Sequence, residues 1–263
     1  MTRQGYGEST GKIILMGEHA VTFGQPAIAI PFNAGKIKVL IESLDEGNYS
    51  SITSDVYDGM LYDAPEHLKS IINRFVEKSG VKEPLSVKIQ TNLPPSRGLG
   101  SSAAVAVAFV RASYDFMDQP LDDKTLIKEA NWAEQIAHGK PSKQAVEDVH
   151  VLCESDEYMK YIEHIGTLVH SASESIEQHD FHHLADIFNA CQEDLRHLTV
   201  SHDKIEKLLQ IGKEHGAIAG KLTGGGRGGS MLLLAENLKT AKTIVAAVEK
   251  AGAAHTWIEH LGG

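Results

Sequence analysis

The sequence predicts an α+β fold, because its predicted strands cluster at both ends of the chain and helices fill the middle. Residues 12–42 contain short apolar and alternating runs that are typical of strands. Residues 144–216 have the apolar spacing of helices and are long enough for about four of them. Strands and one helix return after residue 216, so the order is not a regular βαβ array.

The individual elements follow from local patterns. Ile37, Val39 and Ile41 alternate with polar residues, as in a half-buried strand. Gly80 is placed to end one helix, and Asp122 or Asp123 is placed to cap another. Strands are predicted at 12–16, 26–31, 36–42, 85–89, 217–222, 230–235 and 255–259, and helices at 65–78, 101–117, 122–137, 144–216 and 240–250.

Composition indicates a soluble protein and excludes some partners. The 263 residues are 42% hydrophobic and 23% charged, an ordinary globular balance. A net charge of −10 argues against non-specific binding to nucleic acid or anionic membranes. Cys153 and Cys191 form no CxxC pattern, and the longest apolar stretch, 103–110, is too short to span a membrane. We therefore expect a cytoplasmic location.

A glycine loop at 94–102 lies between a predicted strand and a predicted helix. Glycine lets a backbone approach phosphate oxygens closely, and the first N–H groups of a helix favour an anion. Ser101 and Ser102 add hydroxyl groups that suit phosphate or Mg²⁺. Taken alone, this loop is equally compatible with a structural turn capped by serine.

A second loop at 223–230 has five glycines in eight positions, more than a hairpin needs. Such a loop is either unusually mobile or in close contact with a ligand, and the loop at 94–102 favours contact. Neither loop ends in the Gly-Lys-Ser/Thr of a Walker A motif. Gly98-x-Gly100-x-x-Ala103 matches a dinucleotide fingerprint, but the acid expected about twenty residues later is missing from a strand end. We expect the two loops to lie close together.

Three motifs in order resemble the signatures of the GHMP kinases, the family named for galacto-, homoserine, mevalonate and phosphomevalonate kinases. They lie at 12–21 (KIILMGEHAV), 94–104 (PPSRGLGSSAA) and 223–230 (TGGGRGGS). The resemblance covers nearly the whole chain, and His19 with Ala20-Val21 is most similar to the mevalonate kinases. It implies a two-domain fold, with an N-terminal part like domain 2 of ribosomal protein S5 at 1–142 and a ferredoxin-like C-terminal part at 143–263.

The resemblance also implies an activity and a site. The activity would be transfer of the ATP γ-phosphoryl group to the primary hydroxyl of mevalonate, with Mg²⁺, in a homodimer. Lys12 would be catalytic, and Ser102 and Glu134 would hold the metal. Glu18, His19 and Thr223 would bind the substrate. ATP would contact Pro94, Gly98, Leu99, Gly100, Ser101, Ser102, Ala103, Gly225 and Gly226. Without the motif, Glu134 would be read as a solvated helix carboxylate, and His19 as structural.

One expected segment is missing. The family carries its catalytic aspartate in a Pro-Ser-Gly-Ile-Asp motif, but here Pro141-Ser142 is followed by Lys143-Gln144-Ala145. The chain resumes at a helix that normally comes several dozen residues later, so the aspartate and at least one core strand are absent. Either these residues are lost, or the sequence omits them, and a true loss is favoured. The alternatives to an active mevalonate kinase are an impaired nucleotide-binding relic and a kinase for another small alcohol, such as homoserine.

Overall fold

The computed structural model describes residues 2–45, 49–94, 98–137 and 141–261. The strands are β1 Gln4–Met16, β2 Ile28–Ser43, β3 Ser51–Thr53, β4 Asp58–Met60, β5 Leu85–Thr91, β6 Ala219–Thr223 and β7 Ser230–Leu234. The α-helices are α1 Glu66–Ser79, α2 Ser101–Phe116, α3 Asp123–Ala137, α4 Pro141–Leu152, α5 Asp156–Glu177, α6 Phe181–His197, α7 Asp203–Glu214 and α8 Leu238–Lys250. The turns at Ala20–Phe23 and Leu61–Asp63 are 3₁₀-helices.

The chain divides into two compact units. Unit 1 contains residues 1–11, 35–95 and 100–139, and unit 2 contains 12–34, 96–99 and 140–263. Each unit is therefore built from separate stretches of the chain. The predicted family-domain boundary between residues 142 and 143 stays a prediction.

The larger sheet has the strand order β1-β2-β5-β3-β4. Strands β2 and β5 are antiparallel, with Val39 opposite Ile89 and Ile41 opposite Val87. These side chains are buried, because alternate residues of a strand point to one face. Phe75 of α1 packs edge-on against Phe116 of α2 with ring centroids 5.4 Å apart, so helices continue the apolar core.

Local signals place several helix ends in unit 1 as predicted. Helix α1 ends at Gly80, whose φ is 64° and whose N–H donates to Val76 O. The N–H of Thr125 donates to Asp122 Oδ1 over 2.7 Å, which caps α3. The two strands predicted at 26–31 and 36–42 are parts of one long strand, β2, which begins at Ile28.

Unit 2 consists mainly of helices. The predicted helical stretch 144–216 forms α4 to α7, as expected. Their apolar faces pack with β6 and with the end of β1 in one core, which includes Leu15, Ile165 and Leu222. The two cysteines, Cys153 and Cys191, are free and buried there.

The second sheet contains two antiparallel strands, β6 and β7, in the part of the chain that the structure describes. The predicted strand at 255–259 was wrong, because this segment pairs with no strand in the part of the chain that the structure describes. Its side chains pack against the start of β2 instead. Trp257 meets Phe32 edge-on at 5.4 Å, and Glu259 Oε1 accepts a 2.7 Å hydrogen bond from the N–H of Ala34.

Candidate active site

The two glycine loops touch each other within unit 2. Gly98 and Gly224 both have positive φ, 82° and 78°. A Cβ added to Gly98 would lie 3.1 Å from Thr223 O, and one added to Gly224 would lie 2.7 Å from Gly98 Cα. Any side chain at residue 224 would therefore collide with the other loop, and glycine is required for this approach.

The end of β1 joins both loops through backbone and side-chain hydrogen bonds. The N–H of Lys12 donates to Leu99 O over 2.9 Å. The hydroxyl of Thr223, which is fully buried, donates to Ile14 O over 2.8 Å. Three segments that are about 85 and 125 residues apart in sequence are thereby held together. Lys12 is half-buried, and Leu99 is buried.

Glu18 forms a buried ion pair with Lys221, a residue that the sequence did not suggest. Both side chains are 0% exposed. Lys221 Nζ contacts Glu18 Oε1 and also donates to Leu222 O over 2.8 Å. Burial raises the pKa of the Glu18 carboxyl above its usual value, while Lys221 and, more weakly, Lys12 oppose the rise. Lys12 therefore lies close enough to act on Glu18.

His19 lies beside this pair in a strained backbone conformation, with φ of 60°. The residue is only 4% exposed. Burial lowers the pKa of its imidazole from 6.5 to about 4, so the ring is neutral at pH 7. The backbone of Gly225 opposes this shift, although it does not meet hydrogen-bond geometry with either ring nitrogen.

Unsatisfied polar atoms cluster at these two adjacent residues. Glu18 Oε2, His19 Nδ1 and His19 Nε2 are buried and lack a hydrogen-bond partner among the described residues. Such atoms are rare in folded proteins, and each requires an explanation. A polar ligand that donates and accepts hydrogen bonds at this position would satisfy all three.

Gly225 and Gly226 belong to unit 2, and the remaining predicted site residues belong to unit 1. Gly100, with φ of 67°, precedes α2 and accepts a hydrogen bond from the N–H of Ala104. In the first turn of α2, Ser102 is exposed, while Ser101 and Ala103 are half-buried, as is Pro94 before the loop. Glu134 belongs to α3, and its side chain lies outside the described residues. That Ser102 and Glu134 converge with Lys12 and Thr223 stays a prediction.

The described residues lack both a cluster suited to a metal ion and a helix suited to a membrane. They contain no group of three His, Cys, Asp or Glu side chains arranged to hold a metal ion. No helix in the described ranges has the length and apolar character needed to cross a membrane.

Comparison with protein families identifies both halves of the chain. Residues 66–153 match the model of the GHMP kinases N terminal domain, and residues 172–254 match that of the GHMP kinases C terminal domain. The chain belongs to the GHMP kinase family. The predicted α+β GHMP kinase fold is therefore confirmed.

Several relatives are mevalonate kinases. The crystal structure of mevalonate kinase from methicillin-resistant Staphylococcus aureus MRSA252 is 66% identical, with a TM-score of 0.82, over 99% of this chain and 100% of that one. Mevalonate kinase from Aeropyrum pernix is 26% identical over 97% of this chain and 96% of its own length. The L. major enzyme in complex with R-mevalonate, at 22% identity and a TM-score of 0.79 over 94% of this chain and 91% of that one, shares the fold.

The Aeropyrum match also contains aligned positions that have no counterpart in this chain. It extends over 311 aligned positions, whereas this chain has 263 residues, so at least 48 aligned positions have no residue here. In the structure, α4 begins at Pro141 and continues without a break to Leu152, so it crosses the junction between Ser142 and Lys143. The total of at least 48 positions is comparable with the several dozen residues that are expected to be missing. The place of the missing segment directly after Ser142 stays a prediction.

Proposed function

We propose that this chain is a mevalonate kinase, which transfers the ATP γ-phosphoryl group to the primary hydroxyl of mevalonate in isoprenoid precursor biosynthesis. Family membership and the 66% identical S. aureus enzyme support the reaction class. The observation in the structure that carries the substrate proposal is the set of three unsatisfied polar atoms on Glu18 and His19. Mevalonate has two hydroxyls and a carboxylate, so it can supply the missing hydrogen bonds.

The proposed substrate contacts follow from the protonation of these groups. Neutral His19 can donate from one ring nitrogen and accept at the other. It is a poor base at pH 7, so its role is to orient a hydroxyl of the substrate. The hydroxyl proton of Thr223 is used on Ile14 O, which leaves the Thr223 oxygen as an acceptor.

Lys12 is the proposed catalytic residue. In the reaction, the substrate oxygen forms a bond to the γ-phosphorus, the bond to the ADP oxygen breaks, and the hydroxyl proton is released. This chemistry depends on positioning and on stabilising negative charge on the transferred group. Two observations support this role: Lys12 is half-buried, and its charge lowers the pKa of the Glu18 carboxyl, although more weakly than Lys221 does.

ATP and its metal are assigned to the second and third motifs. The proposed nucleotide contacts are Pro94, residues 98–103, Gly225 and Gly226, and the proposed Mg²⁺ ligands are Ser102 and Glu134. Ser102 is exposed in the first turn of α2, and Ala133, next to Glu134, packs against Ala106 of α2. Oxygen ligands suit Mg²⁺, which when bound would neutralise phosphate charge. Unchanged Mg²⁺-ATP affinity in both Ser102→Ala and Glu134→Gln would remove this assignment.

The turnover of the shortened chain is expected to be low. General-base assistance contributes roughly 10²- to 10⁴-fold, so loss of the aspartate costs at least that order. Loss of the adjoining strand weakens positioning further. Nucleotide binding should survive, because the glycine loops are present and in contact.

A coupled ATP-turnover assay with mevalonate, run beside a nucleotide-binding assay, tests the proposal. Phosphorylation of mevalonate, even if slow, supports the kinase. Binding of ATP and mevalonate without turnover supports a catalytically impaired member of the same family. Turnover with homoserine but not with mevalonate would contradict the substrate assignment.

We also propose a cytoplasmic homodimer. Two free, buried cysteines fit a reducing compartment, and the homodimer rests on family precedent alone. Light scattering on the purified chain measures the mass directly, and a monomer at micromolar concentration would contradict the dimer.

A further inference from the structure

Helix α4 contacts two parts of the candidate site that are far apart in sequence. Asp148 forms an ion pair with Arg227, in the glycine loop at 223–230. His150 stacks on Phe23 with ring centroids 4.1 Å apart, in the 3₁₀-turn that follows His19. All of these residues belong to unit 2. One helix thus reaches both the first and the third motif.

The contact with the glycine loop fixes a strained backbone. Arg227 has φ of 53°, and its N–H donates to Val200 O over 2.7 Å. A Cβ added to Gly226 would lie 2.2 Å from the same carbonyl, so the loop lies directly against it. The guanidinium of Arg227 then pairs with Asp148, whose other oxygen accepts a 2.8 Å hydrogen bond from Gln144 Nε2.

The Asp148 carboxyl stays ionised at neutral pH, so the ion pair with Arg227 persists. Hydrogen bonds from Arg227 and Gln144 hold the pKa of the Asp148 carboxyl below its usual value. Both side chains of the ion pair are 38% exposed. An exposed ion pair of this kind contributes little to the free energy of unfolding. Its main effect is therefore on the local position of the glycine loop.

The second contact reaches His19 through a chain of hydrogen bonds. Thr22 donates twice to His19 O, from its N–H over 2.9 Å and from its hydroxyl over 2.8 Å. Because the hydroxyl proton is used there, the Thr22 oxygen must accept at its 3.0 Å contact with His150. His150 therefore carries its proton on Nε2 and donates it. This chain supports the carbonyl of His19, whose φ is positive.

We propose that Asp148 and His150 are positioning residues for the substrate site. Asp148 holds the glycine loop through Arg227, and His150 holds the backbone of His19 through Thr22. Neither is assigned a contact with the reacting atoms. The proposal concerns the proposed mevalonate site, but its structural part is measurable whether or not the chain turns over substrate.

Amide hydrogen exchange in the full chain tests the structural part. Asp148→Asn removes the charge, and His150→Phe keeps the stacked ring but removes the Nε2 donor. Each should increase exchange about 5-fold, the equivalent of one net hydrogen bond, in its own segment only. The segments are 223–230 for Asp148→Asn and 18–24 for His150→Phe. Glu193→Gln is the matched control, because it removes another exposed arginine–carboxylate pair, with Arg196.

Two further measurements distinguish a positioning role from a general effect on the stability of unit 2. They are the exchange rate in a charge-preserving variant and the affinity for mevalonate. Asp148→Glu keeps the charge and should restore exchange in 223–230 to the wild-type rate. His150→Phe should weaken mevalonate binding in titration calorimetry, whereas Glu193→Gln should not. Absence of mevalonate binding in the wild type would count against the proposed function, and the exchange result would stand by itself. Exchange that is unchanged, or raised equally throughout unit 2, in both variants would overturn the proposal.

Discussion

The two ends of the glycine loop at 223–230 are held by ion pairs of opposite character. Just before the loop, Lys221 is fully buried with Glu18, and Thr223, the first residue of the loop, donates to Ile14 O. Near its other end, Arg227 meets Asp148 with more than a third of each side chain exposed. A buried pair makes folding depend on both partners, whereas an exposed pair mainly sets local position. The end of β6 before the loop is therefore part of the core of unit 2. The position of the loop near Arg227 can change without disrupting that core.

The largest effect should follow from breaking the buried pair. Lys221→Met leaves the Glu18 carboxylate without its partner in the core, which costs roughly 3–5 kcal/mol of unfolding free energy. Urea unfolding of the purified variant measures this loss. The exposed counterpart, Asp148→Asn, should leave the unfolding midpoint unchanged within error, so the two variants compare the ends of the loop directly.

A double variant sharpens this prediction. Glu18→Gln together with Lys221→Met removes both charges, and it should be more stable than Lys221→Met alone. If the double variant is less stable than Lys221→Met, the cost comes from lost packing of the lysine side chain and not from an isolated charge.

A somewhat smaller effect is expected from His19 as the pH falls. The unfolded chain binds a proton on His19 below pH 6.5, but the folded chain does not until about pH 4. The free energy of unfolding should therefore decrease between these values by about 3 kcal/mol, with no contribution from His19 above pH 6.5. His19→Gln should lack this part of the decrease. Unfolding curves of the two proteins at pH 4 and pH 7 give the difference, and parallel losses would contradict the buried neutral imidazole.

The smallest effect should come from Thr223→Val. The change preserves shape but removes the hydrogen bond to Ile14 O and leaves that carbonyl without this donor. A loss of about 1 kcal/mol in unfolding free energy is expected, because a net hydrogen bond contributes this amount. Thr243→Val is a suitable control, since the Thr243 hydroxyl donates to Lys239 O at an exposed position of α8. An equal loss in both variants would show that the buried position of Thr223 has no special value.

Local patterns predicted the elements well wherever neighbouring residues decide the structure. The cap at Asp122, the end of α1 at Gly80 and the helical stretch 144–216 all depend on contacts within a few residues. The strand predicted at 255–259 failed for the opposite reason. A strand needs a partner, and alternation of side chains cannot show that no neighbouring strand is available.

Only those site residues that belong to a local sequence motif could be predicted. Glu18, His19 and the glycine loops carry a recognisable motif, but their partners are set by tertiary contacts. Lys221 left one weak signal, a lysine within the apolar run of β6, where a charge must be paired if it is buried. Asp148 and His150 left none, because they lie on an ordinary helix and their partners are 79 and 128 residues away in sequence.

The two buried cysteines can report transient unfolding of unit 2. Cys153 and Cys191 belong to the apolar core of unit 2, and burial raises the pKa of both thiols. Thiolate is the reactive form, so neither residue should react with an alkylating reagent while unit 2 is folded. The rate of modification by a thiol reagent therefore reports transient unfolding of this unit in the unaltered chain, without an introduced label.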